Sequence, residues 1–506
     1  MMGTVSSQQD PDLLPQLIGD FSPVDVWQAH INELFYALRG HRIRDYYQTF
    51  ATADYRLAYA LADDYYRRLS EREKRRASGG PPELRSQSRS ETAGEEGKEQ
   101  RAEDPSTAGG PLTVMEWGCG NGNLAVCFLD RLRALDKDKR FYPRVQMVLV
   151  DRSETMLAQA RQHPGLDQHK ERVTFVCADA QDLPMYADGT VDRIFCNELW
   201  SELPTKLLLR RGADILEEYV RPNLSEKRLA EFSDWSGFVN AFTQKDEEAL
   251  RRFPEFLDDL IWEREYHKVE GKALPFRKTI TEFLKTLDEE VLVPVNLGAA
   301  ATLKEAKRLL TPDAVGFSAF DAGTADQQVL NDPEKPCYSV QGGQFSFIVN
   351  FALLRRIAEH LGLDAVTIEA QKEFVGRSLG TNVMSLMDLL ASHPRIPNPD
   401  SWEADALIIE TIRALNEAYR SPYHRKLDFP LRSDMPAEER ERLAHILESL
   451  KPDGVPDTVA YVTESEVREA QRALEDLGYD PDFVLAALQA PPQPVDYTHF
   501  SFSPAT

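Results

Sequence analysis

A chain of 506 residues is long enough for more than one domain and a sizeable buried core. Its hydrophobic fraction of 42% and aromatic fraction of 9% exclude global disorder. A formal net charge of −24, with no basic patch outside one short mixed-charge stretch, argues against nucleic acid as a main partner.

Five cysteines (Cys119, Cys127, Cys177, Cys196 and Cys337) lie without C-x-x-C spacing. That predicts reduced core thiols and no metal site. No run approaches the ~20 apolar residues of a membrane span. Residues 1–20 have neither a basic region nor an apolar signal core. The expectation is a soluble cytoplasmic protein, or one of the mitochondrial matrix if the source is eukaryotic.

Ser22 followed by Pro23 marks a helix start. Trp27, Ile31, Leu34, Phe35 and Leu38 then recur at helical spacing. A second helical run covers 54–69, completing an N-terminal helical region (1–70). Residues 71–110 hold Leu84 as their only large apolar residue, which predicts a disordered loop or linker.

Order returns at Leu112. Val148 to Val150, Val173 to Val176 and Val191 to Cys196 are short apolar, β-branched runs, each a buried parallel strand by pattern. Alternating β and α units over 111–204 predict an α/β doubly wound, Rossmann-like sheet. The charged stretch 205–313, with Phe, Leu and Trp spaced along it, reads as a helical insertion. Val315 to Phe320 resumes the strand pattern, and 314–389 closes the sheet, with a helix from Phe351 to Leu361 ending at Gly362.

The remainder, 390–506, reads as a helical extension. Thr463 with Glu466 makes a capping box, and Gly478 suits a helix end. Ala473 to Tyr479, with Val484 and Leu488, faintly resembles a ubiquitin-associated module, but a plain helical hairpin is the expectation.

The sharpest chemical signal is Glu116-Trp117-Gly118-Cys119-Gly120-Asn121-Gly122, directly after an apolar run. Glycines let a backbone turn out of a strand and approach a ligand without Cβ interference. A dinucleotide fingerprint is excluded by Asn123 at its third glycine position and by the late next acid, Asp151. No G-K-[ST] follows, so a P-loop is excluded too.

What remains, E-x-G-x-G-x-G, resembles motif I of class I methyltransferases that use S-adenosylmethionine (SAM). The segment Val150-Asp151-Arg152-Ser153-Glu154-Thr155-Met156-Leu157 looks like that family's D-x-S-x-x-M-L. Cys177-Ala178-Asp179-Ala180-Gln181-Asp182 is similar to its adenine-contacting turn.

The resemblance implies SAM as cofactor. Glu116 would hold the cofactor's amino end, with Gly118, Cys119, Gly120 and Gly122 forming the close-approach loop. Asp151 would accept from the ribose hydroxyls, beside Arg152 and Met156. Asp179 and the Ala180 amide would meet the adenine.

The fourth strand ends Phe195-Cys196-Asn197-Glu198-Leu199-Trp200-Ser201-Glu202-Leu203-Pro204. DNA amino-methyltransferases and cytosine-C5 enzymes carry other motifs here. This run resembles the N-E-x-x-D-x-L-P signature of the MidA-like family, whose mitochondrial members serve complex I assembly as protein arginine methyltransferases. Phe320-Asp321-Ala322-Gly323 resembles that family's D-Y-G turn, and Ile348-Val349-Asn350-Phe351 its H-V-D-F. Ser201, Ala322, Ile348 and Asn350 depart from the pattern, each removing a polar group from the region expected to face substrate.

Methyl transfer to a protonated nitrogen needs orientation and a nearby carboxylate. Glu198 and Glu202, four apart, would share one face if a helix began here, and two carboxylates suit a guanidinium. Glu198 is the expected guanidinium anchor or base, with Asn197 closing the cofactor side. Glu202 reads either as a catalytic acid or as a solvated surface acid, and Asp321 either lines the acceptor site or forms a turn.

The leading expectation is a protein methyltransferase acting on a protein substrate, plausibly at arginine. A small-molecule O- or N-methyltransferase would use Trp235, Phe238, Phe242 and Trp262 to close an apolar pocket. A scaffold that keeps the fold without transfer is the third reading.

Overall fold

The computed structural model describes residues 18–39, 56–77, 110–269, 274–341, 343–363, 365–379, 435–450 and 497–504, with isolated positions between 402 and 433. The capping box at Thr463 and the module-like stretch 473–488 lie outside the described residues, as do residues 78–109 of the expected linker.

The first elements are β1 (Ser22–Pro23), α1 (Val24–Arg39) and α2 (Arg56–Ala77). Ile31, Leu34 and Phe35 are buried along α1, as their spacing predicts. Ser22–Pro23 forms a short strand in place of a cap, and α2 runs on through 71–77, a stretch expected to belong to the linker. Next come β2 (Leu112–Trp117), α3 (Asn123–Leu135), β3 (Val145–Asp151), α4 (Glu154–Arg161), β4 (Val173–Cys177) and β5 (Arg193–Asn197).

The stretch expected to be helical mixes strands with helices. It holds β6 (Lys206–Arg211), β7 (Asp214–Leu224), α5 (Trp235–Gln244), β8 (Leu260–Lys268), α6 (Arg277–Leu284), β9 (Val293–Val295) and α7 (Leu297–Leu309). The chain continues through β10 (Gly316–Thr324), β11 (Tyr338–Gln341), β12 (Gln344–Phe347), β13 (Val349–Asn350), α8 (Phe351–His360), β14 (Thr367–Ala370) and α9 (Gln371–Leu379). Last are α10 (Ala437–Ser449) and β15 (Tyr497–Phe502), so the supposedly helical extension ends in a strand.

These elements divide into two compact units. One comprises Phe50–Cys196, Arg308–Ser318 and Glu369–Thr506; the other comprises Met1–Thr49, Asn197–Lys307 and Ala319–Ile368.

The first unit is built on the sheet β14-β15-β10-β5-β2-β3-β4. β2 runs parallel to both β3 and β5, with Trp117 opposite Val150 and Cys196. Met115, Trp117, Leu149, Val150, Ile194 and Phe195 are all buried, the two-sided burial of a parallel sheet covered by helices. β15 also carries polar groups into this core. His499 Nε2 meets Ser318 Oγ at 2.9 Å and its Nδ1 meets Glu369 Oε1 at 3.0 Å, while Arg193 Nη2 donates to Ser318 Oγ at 2.9 Å. Such groups are tolerated in a core only when they are bonded in this way.

The second unit centres on an antiparallel sheet. β7 pairs with β8 over nine positions, and β6, β1 and β9 complete it. Lys206 bridges to Asp25 and Glu217 across it. Phe238 and Phe242 of α5 pack against Phe256, and Phe238 also meets Phe232 and Phe253. These rings fill a core. Trp262 of β8 sits edge-on to Phe345, 5.4 Å between centroids.

Candidate cofactor and acceptor sites

In the first unit β2 ends at the buried Trp117, and the chain then takes three left-handed glycines, Gly118, Gly120 and Gly122, at φ 69°, 53° and 81°. An L side chain is strained in that region, so the turn needs glycine. The turn is pinned to the next strand: Gly118 N and Cys119 N both donate to Val150 O, at 2.8 and 3.2 Å. A Cβ on Gly122 would touch Ala160 and Leu166 at 3.4 Å, so this glycine serves packing. One on Gly120 would meet nothing nearer than Met156 Cε at 3.9 Å, which leaves open ground beside the loop.

Two carboxylates belong to this turn, Glu116 near the end of β2 and Asp151, which is bonded to Gly120 N. Glu116 is 4% exposed, and its Oε2 is buried with no hydrogen-bond partner among the described residues. Burial, with Asp151 adding to it, pushes this carboxyl well above the usual range. A cation placed there would relieve the cost of burying that charge.

Asp151 ends β3. Its Oδ2 accepts from Gly120 N at 3.2 Å and its Oδ1 from Ser153 N at 2.9 Å. Each oxygen keeps a further lone pair for a ligand hydroxyl. Burial raises this carboxyl too.

Ser153 caps α4 by accepting from Met156 N at 3.3 Å, which holds Met156 half-buried near Gly120. Cys119 is buried, and burial pushes its thiol well up. Arg152 is exposed. After β4 the chain returns alongside, with Ala178 N donating to Asp151 O at 3.1 Å. Asp179 is exposed and accepts from Gln181 N at 2.9 Å, and Ala180 is buried. The structure thus brings Glu116, the glycines, Asp151 and Met156 together and leaves Arg152 at the surface. Cys177 is exposed too, so it is not the core thiol its strand suggested.

The second unit holds the segment after β5. Asn197 Nδ2 donates to Glu198 Oε1 at 3.0 Å, and Glu198 N to Phe320 O at 2.7 Å. Glu198 is 7% exposed and left-handed, at φ 51°. A non-glycine residue there costs of order 1 kcal/mol and persists only where its surroundings impose it.

No helix begins here. Residues 200–202 form a turn, so Glu198 and Glu202 do not share a helical face as expected. Glu202 is no solvated surface acid either: it is half-buried, and Tyr36 Oη donates to its Oε2 at 2.7 Å. Gln344 Nε2 donates to its Oε1.

Asp321 is 2% exposed and accepts from Ser201 N at 3.0 Å and Ala322 N at 2.8 Å. It fixes the turn, the second of the two roles expected of it. Burial pushes its carboxyl up to about 6, against the bonds from Ser201 and Ala322.

Asn350, expected near substrate, is fully buried and caps α8, accepting from Leu353 N at 3.0 Å. Its Nδ2 donates to Pro294 O at 3.1 Å, a bond that an aspartate could not make.

Sequence reasoning missed Gln28, Asn32 and Tyr36 of α1. They recur every fourth residue and reach Ser201 O, Phe345 and Glu202 respectively. Polar residues at that spacing beside an apolar face were the available signal.

Residues 110–224 match the family model described as a methyltransferase domain. That match accords with the SAM cofactor expected from the sequence. The residues present fit that cofactor: Glu116 keeps an unsatisfied buried oxygen, and the ground beside Gly120 is open. No curated protein matches the chain.

Among solved structures, an uncharacterized protein from Burkholderia thailandensis aligns at 13% identity and TM-score 0.46. That alignment covers 96% of this chain and 88% of the other. A protein of the same superfamily and organism, crystallised with S-adenosyl-homocysteine, aligns at 12% and 0.46 over the same shares. A SAM-dependent methyltransferase from Aquifex aeolicus aligns at 12% and 0.23, over 51% of this chain and 74% of that one.

Among the described residues no helix is long and apolar enough to cross a membrane, and no cluster of His, Cys, Asp and Glu could hold a metal.

Proposed function

We propose that this methyltransferase domain serves the methylation of a protein side chain, arginine foremost, in the manner of the MidA-like family. The observation that carries the reading is Glu198, a buried carboxylate in a left-handed conformation one residue beyond β5, with Asn197 Nδ2 on its Oε1. A strained, ordered acid at the end of a strand suggests function more than packing.

When bound, SAM supplies a methyl group on a sulfonium. Glu116 and Asp151 would hold the cofactor's amino and ribose ends, and Gly120 leaves it room. Glu198 orients the guanidinium by charge-assisted hydrogen bonds. The arginine nitrogen would be the methyl acceptor, and Glu198 would take the proton that the nitrogen loses. Asp321, through Ser201 N, fixes the turn on which Glu198 and Glu202 sit.

Two observations favour this reading over its rivals. Two of the four rings that a small-molecule enzyme would use to close a pocket, Phe238 and Phe242, are spent in an aromatic core, while Trp235 and Trp262 are half-buried. Asn350, one of the departures that favoured a scaffold, caps a helix and removes nothing from an acceptor site.

The test is Glu198→Gln. It should bind SAM like the wild type by calorimetry and transfer methyl to protein at least 100-fold more slowly. Undiminished transfer would show that the anchor is elsewhere.

A further inference from the structure

The antiparallel pair β7 and β8 carries a second carboxylate that the proposed reaction does not use. Glu218 of β7 lies opposite Tyr266 of β8, Val220 opposite Arg264, and Pro222 opposite Trp262. Directly opposed residues point to one face, so Glu218, Tyr266, Arg264 and Trp262 share it.

Glu218 is fully buried, and Tyr266 Oη donates to its Oε2 at 3.0 Å. Its Oε1 is buried and has no hydrogen-bond partner among the described residues. The nearest cation, Arg264 Nε, stops at 4.0 Å, beyond hydrogen-bond reach.

Arg264 is the informative neighbour. Its guanidinium carbon lies 5.5 Å from the centre of the Tyr338 ring, and its Nη2 donates to Tyr338 Oη at 2.7 Å. Tyr338 is itself held by Phe345, 4.7 Å away and stacked, and by Phe347. Yet the Arg264 side chain is 51% exposed, so it covers the carboxylate without being locked over it. A half-exposed arginine is free to change rotamer on a fast timescale.

We propose that this corner of the second unit is a guanidinium-binding site, occupied in the free protein by Arg264 and taken over by an arginine side chain of a polypeptide partner when Arg264 swings out. Arg264 shows what chemistry the corner accepts: a flat cation over the Tyr338 ring, one nitrogen donating to the phenol oxygen. An incoming arginine, unconstrained by β8, can bring a second nitrogen to Glu218 Oε1, which Arg264 fails to reach. Lysine, a point charge without a planar face, cannot stack on Tyr338 while donating in two directions. The site is distinct from Glu198 and needs no methyl transfer, so it stands or falls independently of the proposed reaction.

The experiment is calorimetric titration, without SAM, of the full chain with a blocked Gly-Arg-Gly tripeptide and its Gly-Lys-Gly counterpart. Removing the resident guanidinium in Arg264→Ala should tighten binding of the arginine peptide at least tenfold over the wild type. The lysine peptide should bind that variant at least fivefold more weakly than the arginine peptide. Adding Glu218→Gln to Arg264→Ala should abolish the gain, provided its circular dichroism is that of the folded protein. Equal binding of the arginine peptide to wild type and Arg264→Ala would overturn the proposal, as would equal binding of the two peptides. Neither comparison depends on the Glu218 variant folding. The tenfold gain brought by Arg264→Ala should persist when both proteins also carry Glu198→Gln, which separates a failure here from a failure of the proposed reaction.

Discussion

Tyr36 donates its phenol to Glu202 at 2.7 Å, tying an acid of the turn after β5 to a helix 166 residues earlier in the chain. Gln344 completes the arrangement, donating to Glu202 and, at 3.3 Å, to Tyr36 Oη. Glu202 is therefore a held acid whose geometry depends on α1 and β12. A hydrogen bond to a charged group contributes about 1.5–3 kcal/mol. Tyr36→Phe is expected to lower the melting temperature by a few degrees and to change little further when combined with Glu202→Gln. Fully additive losses in that double-mutant cycle would show that the two side chains act separately.

Glu116 should matter for cofactor and little for folding. Its burial without a full set of partners already costs the free protein, so Glu116→Gln is expected to leave the melting temperature unchanged or raised. The same change removes the charge that would meet the cofactor's amino group, and SAM affinity by calorimetry should fall about 10- to 100-fold. Wild-type affinity in the variant would remove Glu116 from the binding site.

Asp321 sets a pH dependence with a definite sign. Its native carboxyl titrates at about 6, above an unfolded value of about 3.9, so the native state binds the extra proton between those limits. Stability then falls as pH rises from about 4 through 6, by an amount on the order of 3 kcal/mol from this group. In Asp321→Asn that slope should flatten in urea unfolding measured from pH 4 to 7.5. An unchanged slope would contradict the assignment.

Glu369 works in the opposite sense. Burial alone would raise its carboxyl, but the bonds from Arg377 and His499 hold it down to about 2. Its contribution is complete above the unfolded value near 4.3 and is lost as pH falls toward 2. His499→Phe removes one of those bonds and leaves Ser318 with Arg193 as its remaining partner in the core. The variant should unfold at higher pH in acid titrations and be about 2–4 kcal/mol less stable at neutral pH. If its acid midpoint matches the wild type, β15 is not anchored through His499.

The cofactor half was readable because its signals are local. A strand, three glycines that must turn left-handed, and an acid ending the next strand all fall between Leu112 and Asp151. Each is dictated by backbone conformation or two-sided burial.

The insertion was misread because β7 buries Glu217 and Glu218 where an apolar residue would have shown the two-residue period, and it carries Pro222 within a paired stretch. Its charges imitate the polar face of a helix. The terminal strand Tyr497–Phe502 was hidden for another reason. Its neighbours β14 and β10 lie more than a hundred residues earlier, and no local pattern announces such a pairing. Tyr36 and Gln344 escaped notice similarly, since their meaning lies in the acid they hold.

Protein methylation is most directly tested by incubating the protein with methyl-labelled SAM and a lysate, then separating protein from small-molecule fractions beside Gly118→Arg. That substitution puts a long side chain on a left-handed glycine of the cofactor loop and should abolish binding. Label is expected in a discrete protein band, absent from the variant and mapping to an arginine side chain. Label confined to small molecules, or incorporation equal to that of Gly118→Arg, would contradict it.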